Sequence, residues 1–456
     1  MKVTILGGGI SGLATAWKLS KEQQVEIIEK SSKVGGMASS YKYKEFSLDY
    51  GPHKIYTQLP GIMDDFKSLV KDDLMTIPKK NKIYVNGKFF DFPIKITQLA
   101  TRLNPLIAAS CGLGMAESLI RKDKTKSYES YLKNNFGRGM YNLLFRDYAL
   151  KVWGDPKELA EELAIKRIPV SGFADLIKGI LFGVKKEQSA EHFYYPKKGI
   201  GTVCDRIVKQ IEKNKGKILT KTKIEKINIQ KNKVESITIN KKKEKTDYLV
   251  STIPITDLVK IIEPKPPENV LKAAKRLKYR SLIVLTILVD KKNALDCNWI
   301  FFPSADIIFN RLSEQKSFSK HTCPEDKTAL YVEITCDYDD WRWNASDYDL
   351  FELVMRDLEK IGVLKREEVL EYFSKKAKKV YPVYSLDYKK NLTTILDYLD
   401  TIENLQTTGR QGLFNYNNMD HCIDMANKTA EYINNNKRKQ EWKDLIKYFD
   451  SYKIVD

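Results

Sequence analysis

The sequence predicts an α/β protein in which a parallel sheet is interleaved with a helical region and an antiparallel sheet. Three observations lead to this fold class. Spaced glycines follow a short apolar run at 2–12, alternating strand patterns recur between 218 and 252, and two longer strand patterns follow at 279–290 and 328–336. No internal repeat or low-complexity linker separates these parts, so the domains are expected to be interleaved.

The first thirty residues predict a βαβ dinucleotide-binding unit of the Rossmann type. The apolar run at 2–6 is expected to be a buried strand, and "VEIIEK" at 25–30 a second strand, with a helix between them. Gly7, Gly9 and Gly12 form GxGxxG, which allows a tight turn, the close approach of a pyrophosphate, and close helix–strand packing. The phosphates would lie at the helix N-terminus, where free N–H groups favour anions.

The end of the second strand indicates which dinucleotide is bound. Glu29 ends this strand, where a carboxylate can accept a hydrogen bond from a ribose hydroxyl, and Lys30 follows it. The segment "KVGGMASS" at 33–40 then brings a second glycine turn near the ribose and pyrophosphate. This pattern is typical of flavoproteins of the amine oxidase type, and it favours FAD over NAD. The residues of this turn expected to contact FAD are Gly36, Met37 and Ala38.

The composition narrows the class of partner. The formal charge is +19, from 78 Lys and Arg against 59 Asp and Glu, which suits an anionic small molecule or membrane surface. The alternative is a solvated lysine-rich surface, since many lysines lie in predicted hairpin tips. No zinc-finger, RNA-binding or basic-helix signature is present, so no nucleic-acid partner is expected. The stretch "PLIAASCGLGMA" from Pro105 is too short to span a bilayer, so no transmembrane segment is expected, and weak peripheral membrane contact stays open.

Cysteine and histidine usage argues against two other kinds of site. The six cysteines are scattered and none forms CxxC, which indicates neither a disulfide frame nor a metal site. No two of the four histidines share a short ligand spacing, so no bound metal is expected. With no secretory signal at the start, these features predict a cytoplasmic protein.

A set of short motifs runs through the chain in a fixed order. They are "DYGPHKIYT" (49–57), "VNGKFFDFPIK" (85–95), the segment 136–170 with "KVWG" and "KRIPV", "YPKKGIGTVCDRI" (195–207), "RLSEQKSFS" (311–319), "YPVY" (381–384) and "GRQGLFNYNNMD" (409–420). In order and number they resemble the UDP-galactopyranose mutases, flavoenzymes of the amine oxidase and protoporphyrinogen oxidase superfamily. The motifs span nearly the whole chain, with dissimilar sequence between them.

The resemblance implies three domains. A discontinuous FAD-binding domain would comprise 1–85, 190–265 and 395–456. A helical domain would occupy 95–190, and an antiparallel-sheet substrate domain would comprise 85–95 and 270–395.

The resemblance also implies which residues surround the flavin ring. The loop that carries His53 would lie against the isoalloxazine ring, whereas the residues alone also allow a histidine that only bonds a loop carbonyl. Trp153 would stack on a sugar or on the flavin, the alternative being a core tryptophan at a helix end. The chain end would return to the first domain, where Gly409 and Arg410 cover the flavin pyrophosphate. The other residues expected to contact FAD are Ser11, Tyr50, Ile224, Asn418 and Met419.

Three further residues would hold the substrate. Arg311 matches the mutase arginine that binds the substrate diphosphate, a task that suits a guanidinium, although a surface salt bridge is the alternative. Tyr381 and Tyr416 match tyrosines that contact the same diphosphate through their hydroxyls. Asn418 is included among the catalytic candidates, although the bacterial mutases have an acidic residue there.

Other positions depart from the mutase pattern. Ser171 stands where the bacterial mutases carry a second diphosphate-clamping arginine, and Tyr56 replaces the second histidine of their "GPHIFH". Arg167, before that position, is expected to be structural. These departures put UDP-galactose itself in doubt and leave other nucleotide sugars open.

The implied function is that of an FAD-dependent pyranose–furanose mutase acting on a nucleotide-linked sugar for cell-surface glycan synthesis. Reduced FAD, with NAD(P)H as a candidate external reductant, would attack the anomeric carbon through N5, while the protein binds the diphosphate and orients the sugar. The alternative is an FAD-dependent oxidoreductase, like protoporphyrinogen oxidase or amine oxidases, that takes a hydride from its substrate. The flavin domain fits both, and the oligomeric state stays open, a dimer included.

Overall fold

The structure, a computed structural model, describes residues 1–94, 98, 101–120, 122–168, 191–436 and 438–454. The helices are α1 (Ile10–Leu19), α2 (Ile62–Val70), α3 (Pro105–Ile120), α4 (Tyr128–Met140), α5 (Arg146–Val152), α6 (Glu161–Arg167), α7 (Gly201–Lys213), α8 (Ile255–Leu258), α9 (Glu268–Arg276), α10 (Trp341–Asn344), α11 (Asp347–Lys360), α12 (Tyr388–Asp400), α13 (Gly409–Gly412), α14 (Met419–Asn434) and α15 (Lys439–Asp450). The strands are β1 (Lys2–Leu6), β2 (Gln24–Ile28), β3 (Ser40–Tyr43), β4 (Phe46–Asp49), β5 (Leu74–Pro78), β6 (Asn81–Val85), β7 (Lys88–Phe92), β8 (His192–Pro196), β9 (Lys217–Leu219), β10 (Ile224–Gln230), β11 (Lys233–Ile239), β12 (Lys242–Lys245), β13 (Tyr248–Ser251), β14 (Ile262–Glu263), β15 (Tyr279–Val289), β16 (Trp299–Phe301), β17 (Arg311–Glu314), β18 (Thr328–Cys336), β19 (Val369–Pro382) and β20 (Leu405–Thr407).

A parallel sheet organises the first part of the fold. Its strand order is β20-β13-β1-β2-β9, and all four strand pairs are parallel. Four of the five residues in each of β1 and β2 are buried, because helices cover the sheet, as is usual for parallel sheets. Helix α14, near the chain end, packs beside α1. Distant stretches of chain thus meet in one α/β layer, and the predicted fold class is confirmed.

A seven-stranded sheet forms the second part, in the order β19-β15-β18-β17-β16-β6-β7. Its centre is the long β15, which pairs antiparallel with both β18 and β19. Both β15 and β18 are buried nearly throughout, since α11 covers one face and the β3–β4 hairpin the other. The sheet also includes β6, which pairs parallel with β16, so it is mixed and begins a few residues before the predicted boundary at 85.

Helices α3 to α6 form the helical part of the described chain. Helix α4 starts at a reciprocal cap in which the Ser127 hydroxyl accepts from the Ser130 amide and the Ser130 hydroxyl accepts from the Ser127 amide. Helices α3 and α4 approach closely at glycines, because a Cβ on Gly114 would lie 2.7 Å from the Gly139 nitrogen. No helix within the described ranges is long and apolar enough to cross a membrane.

A buried carboxyl group joins the β3–β4 hairpin and the end of β8 to the seven-stranded sheet. Asp49, at the end of β4, accepts hydrogen bonds from the Ser40 hydroxyl at 2.5 Å, from the Tyr195 hydroxyl, and from the Ile200 amide at 3.3 Å. Its own amide donates to the Tyr331 hydroxyl of β18 at 2.7 Å. These contacts fix the loop after β4, which carries His53, relative to the seven-stranded sheet.

Asp49 also predicts a pH dependence of stability. Burial raises its pKa from 3.8 to about 6, so between those values the folded protein holds a proton that the unfolded chain releases. This contribution to the free energy of unfolding is full below about pH 4 and is lost as the pH rises through about 6. Relative to wild type, Asp49→Asn should therefore gain up to about 3 kcal/mol between pH 4 and pH 7, measured by urea unfolding at both pH values. A constant difference between the two proteins would contradict this account.

Candidate active site

The glycine turn after β1 has the geometry of a dinucleotide-binding loop. Gly7 has φ +97°, a left-handed conformation that L side chains rarely adopt. A Cβ on Gly12 would lie 1.9 Å from the Gly7 carbonyl oxygen, so only glycine fits there. In contrast, a Cβ on Gly9 would meet no protein atom within 4 Å. Helix α1 begins directly after Gly9, and its N-terminus is open to a ligand on that side.

The second glycine turn lies beside the first. Gly35 forms a parallel bridge with Gly9, and its amide donates to the Gly8 carbonyl oxygen at 2.7 Å. The Glu29 carboxylate accepts from the Gly8 amide and from the Ser31 amide, each at 2.7 Å. Glu29 therefore joins the first glycine turn to the chain just before the second, and its remaining lone pairs can accept from a ribose hydroxyl.

The chain end returns to this loop. Gly409 has φ +82°, and a Cβ there would lie 2.5 Å from the Ser11 Cβ, so the Gly409 backbone packs against the Ser11 side chain. Helix α14 follows, with Asn418 as its N-cap, and the Asn418 amide donates to His421 Nδ1 at 3.0 Å. The neighbouring helices α1 and α14 give this region of the fold two helix N-termini.

The other predicted flavin residues occupy varied positions. Ala38 is buried in the core beneath the second glycine turn, and Met37 packs on the cluster that covers the seven-stranded sheet. Tyr50 lies 5.2 Å from Tyr41, centroid to centroid. Three more residues are Lys30, exposed after Glu29, Ile224, buried at the start of β10, and Met419, buried at the start of α14. Their contacts with a flavin remain a prediction.

These features fit a flavin dinucleotide. The open side of Gly9, the α1 N-terminus and the carboxylate of Glu29 are the groups that would bind its pyrophosphate and ribose. The contact of Gly409 with the Ser11 side chain adds residues near the chain end to the same cradle. No cluster of metal-ligating side chains occurs in the parts of the chain that the structure describes.

His53 lies in the loop after β4 and is neutral. Its Nδ1 is 3.0 Å from the Gly51 carbonyl oxygen, so Nδ1 carries the proton and donates, which leaves Nε2 as an acceptor. Burial, together with the nearby charge of Arg311, lowers the pKa of His53 to about 4. Gly51 has φ +90°, and a Cβ there would lie 3.3 Å from the Glu333 carboxylate. The His53 loop thus packs against the residue that holds Arg311.

Arg311 forms a two-point ion pair with Glu333 of the neighbouring strand β18. Its Nη2 donates to Glu333 Oε1 at 2.9 Å, and its Nε donates to Oε2. Burial opposes the charge, but the Glu333 carboxylate raises the pKa of Arg311 above its ordinary value. The Glu333 side chain is only 2% exposed, while that of Arg311 is 24% exposed. The Arg311 guanidinium is therefore fixed by Glu333, while part of its side chain stays accessible to solvent or a ligand.

Two further guanidinium groups face the predicted tyrosines. Tyr381 and Tyr416 stack with centroids 6.2 Å apart. Arg410 Cζ lies 5.4 Å and 5.2 Å from the two ring centroids, and Arg167 Cζ lies 5.8 Å from that of Tyr416. Burial and the charge of Glu333 raise the pKa of Tyr381, while the charges of Arg311, Arg410 and Arg167 partly offset this rise. The structure thus brings Arg410 and Arg167 against the tyrosine pair and places Arg311 close enough for its charge to act on Tyr381.

The Arg410 side chain is held by backbone carbonyl groups. Its Nη1 donates to Asn417 at 2.7 Å and its Nε to Val380 at 3.3 Å. Arg410 was expected at the flavin pyrophosphate. In the structure its backbone adjoins Ser11 through Gly409, while its guanidinium reaches the two tyrosines.

Trp153 lies beside Arg167, next to the tyrosine pair. Its ring centroid lies 5.9 Å from Arg167 Cζ, 5.7 Å from the Tyr148 centroid and 5.8 Å from that of Tyr128. The Trp153 indole Nε1 and the Tyr416 hydroxyl are buried, and beyond their interaction with each other neither has a hydrogen-bond partner among the described residues. Buried polar groups of this kind are usually bonded, so these two atoms are candidates to bind a ligand.

Two residues of this region were missed by sequence reasoning. Glu333 lies in the otherwise apolar run "TALYVEITC", and a single carboxylate in a buried strand was the available signal. Lys151 donates from Nζ to the carbonyl oxygens of Phe302 and Phe309 at 2.9 and 3.1 Å, which steadies the chain before Arg311. Burial lowers the pKa of Lys151 to about 7. Ser171, predicted to replace a clamping arginine, lies outside the described residues.

The chain matches the family described as flavin-containing amine oxidoreductases over residues 10–413. It belongs to this family. The expected superfamily is confirmed, and a flavin cofactor follows from the family and agrees with the glycine cradle.

Curated and solved relatives agree with this placement. A probable UDP-galactopyranose mutase from Klebsiella pneumoniae is 27% identical over 181 residues, which are 37% of this chain and 45% of that protein. The matched region thus spans less than half of that relative. The crystal structure of a reduced UDP-galactopyranose mutase superposes with a TM-score of 0.83 at 19% identity, covering 96% of this chain and 94% of the other. A putative protoporphyrinogen oxidase from Exiguobacterium sp. 255-15 superposes with a TM-score of 0.75 at 18% identity, covering 96% and 99%.

Proposed function

We propose that this protein is an FAD-dependent mutase that interconverts the pyranose and furanose forms of a nucleotide-linked sugar. The observation that carries the proposal is the convergence of Arg167, Arg311 and Arg410 on the stacked pair Tyr381 and Tyr416. The resemblance to the mutases along the chain supports the same reaction.

The charges of this group suit a diphosphate. Arg311 is paired with Glu333, whereas the guanidinium of Arg410 donates to backbone carbonyl oxygens, so its positive charge is left beside the tyrosines. A nucleotide diphosphate carries a matching negative charge, and a guanidinium binds phosphate oxygens in pairs. An apolar amine substrate would gain nothing from these cations.

The chain's own residues would bind and orient the substrate. Arg311 and Arg410 would contact the diphosphate, and the Tyr416 hydroxyl, which donates to no described group, would donate to it as well. Burial raises the pKa of Tyr416, so its hydroxyl stays protonated and able to donate. The bound flavin, non-covalent and kept reduced by a donor such as NAD(P)H, would supply the nucleophilic N5 that exchanges with the nucleotide at the anomeric carbon. The protein therefore needs to orient the substrate and exclude water from the site more than to supply an acid or a base. A neutral His53 is consistent with this.

The proposal is tested with the purified holoenzyme and a panel of UDP-, GDP- and TDP-sugars. The enzyme is reduced with dithionite without oxygen, and products are separated by ion-pair chromatography with mass detection. One sugar is expected to yield an isomer of identical mass and different retention. No isomer from any sugar, with the flavin bound and reduced, would contradict the mutase assignment.

A second candidate is a flavin-dependent oxidoreductase. One observation favours it: Arg311 is already neutralised by Glu333, in a region walled by Trp153 and two tyrosines. Such a site could also accept a largely apolar substrate that gives a hydride to the flavin. This candidate predicts that a substrate bleaches the oxidised flavin.

A buried lysine is expected to position the tyrosine pair. Lys166 Nζ donates to Asn415 Oδ1 at 2.9 Å and to Asp450 Oδ1 at 2.6 Å, and the Tyr384 hydroxyl donates to the same Asn415 oxygen at 2.8 Å. Asn415 precedes Tyr416 in the chain. Lys166→Met should therefore weaken binding of the nucleoside diphosphate about tenfold, or about 1.4 kcal/mol.

The readouts separate positioning from folding. Affinity is measured by calorimetry with UDP, and flavin content by absorbance. Flavin content should stay at the wild-type level. Lys389→Met is the matched control, because Lys389 Nζ is 3.9 Å from the same Asp450 but its side chain is 62% exposed. Equal affinities for the two variants would show that Lys166 does not position Tyr416.

A further inference from the structure

Helix α3 presents an apolar face to solvent. Its sixteen residues, "PLIAASCGLGMAESLI", contain one charged residue, Glu117. Three large apolar side chains at seven-residue spacing lie along one line of the helix: Leu106 is 79% exposed, Leu113 is 74% exposed and Ile120 is 85% exposed. A spacing of seven places residues on the same face, since the helix makes 3.6 residues per turn. A continuous apolar stripe therefore runs the length of this helix.

The opposite side of α3 packs through its smallest residues. Only Gly114 and Ser118 are buried, and Gly114 lies against the backbone of α4 near Gly137 and Gly139. The tight glycine contact holds the helix to the protein while its larger side chains point away. A surface helix of a globular protein normally does the reverse and turns its apolar face inward. Exposed apolar patches of this kind mark docking sites.

We propose that α3 docks the protein on a membrane surface that contains anionic phospholipids. The helix would lie in the plane of the interface with Leu106, Leu113 and Ile120 among the acyl chains. With sixteen residues it is about 24 Å long, shorter than the hydrocarbon core, so it would rest on the membrane and not cross it.

The charges around α3 argue for a lipid surface. Arg102 precedes the helix, and Lys122, Lys124 and Lys126 follow it with one acidic residue, Asp123, among them; the four basic residues are all exposed. A second copy of the chain facing this helix would bring the same basic ends together and repel. An anionic headgroup layer would attract them, as it would the whole protein with its charge of +19. This inference is independent of the reaction catalysed.

The experiment is vesicle flotation of the full-length holoenzyme. Vesicles of phosphatidylcholine are compared with vesicles that contain about 30% phosphatidylglycerol. Wild type should float with the anionic vesicles, and Leu106→Gln with Leu113→Gln should lower the bound fraction at least about fivefold. Both side chains are exposed, so the fold and flavin content should not change. Lys124→Gln with Lys126→Gln should reduce binding to the anionic vesicles and lower the salt concentration that releases the protein.

A matched pair elsewhere provides the control. Leu370 and Leu386 are also exposed leucines, at 48% and 59%, and changing both to Gln should leave flotation as in wild type. Failure of wild type to float with either vesicle, or equal flotation of the α3 variant, would overturn the proposal. Light scattering tests the remaining outcome. A wild-type dimer that the α3 variant converts to monomer would assign the stripe to self-association and overturn membrane docking.

Discussion

Replacing Gly9 with valine is expected to give a folded protein that binds little flavin. Gly9 has φ −70° and ψ 177°, an extended conformation that valine adopts readily. No protein atom lies within 4 Å of the Cβ position, so the side chain would enter only the space assigned to the pyrophosphate. Flavin content should fall at least about tenfold, while the free energy of unfolding of the apoprotein should change by less than about 1 kcal/mol.

Variants at two other glycines serve as controls for Gly9→Val. Gly112→Val also adds a valine at an open position, in α3, and should keep its flavin. Gly12→Ala places a Cβ 1.9 Å from the Gly7 carbonyl oxygen and should lose stability as well as flavin. Flavin content is read from absorbance after gel filtration, and stability from urea unfolding. Full flavin content in Gly9→Val would show that the cofactor does not approach this turn.

Replacing Arg311 with glutamine is expected to affect both stability and substrate binding. The change leaves Glu333, 2% exposed, as a buried carboxylate without its partner. Breaking a buried pair in this way costs about 3–5 kcal/mol in the free energy of unfolding. It also removes one of the three guanidinium groups around the tyrosines, so binding of a nucleoside diphosphate should weaken strongly.

The double variant Arg311→Gln with Glu333→Gln separates these two effects. Two neutral amides can bond to each other in the same place, so most of the lost stability should return. Binding of UDP, measured by calorimetry, should stay weak because the cation is still absent. Recovery of both properties would mean that Arg311 acts only through the structural ion pair.

The sequence was most informative where backbone geometry alone decides the structure. The GxGxxG turn, β1, β2 and α1 could be predicted, because glycine spacing and short apolar runs are local signals. The return of Gly409 to Ser11 was expected only through the family resemblance, since nothing local links residues so far apart in sequence.

Contacts between side chains from distant strands could not be predicted in this way. The Glu333–Arg311 pair depends on the register of β17 against β18, which the sequence pattern does not give. The same holds for β6, whose parallel pair with β16 extends the second sheet. The position of Arg167 over the Tyr416 ring likewise depends on how α6 packs beside the chain end, and its expected role was only structural.

The central claim is that the reaction leaves the flavin in its starting oxidation state. The most direct test follows flavin absorbance and product together, without oxygen, while the holoenzyme meets the sugar nucleotide that gives an isomer. With reduced enzyme, many turnovers should proceed with no change in flavin absorbance, and with oxidised enzyme there should be neither product nor bleaching. Bleaching of the oxidised flavin by a substrate, with an oxidised product and no isomer, would contradict the account and assign the protein to the oxidoreductases.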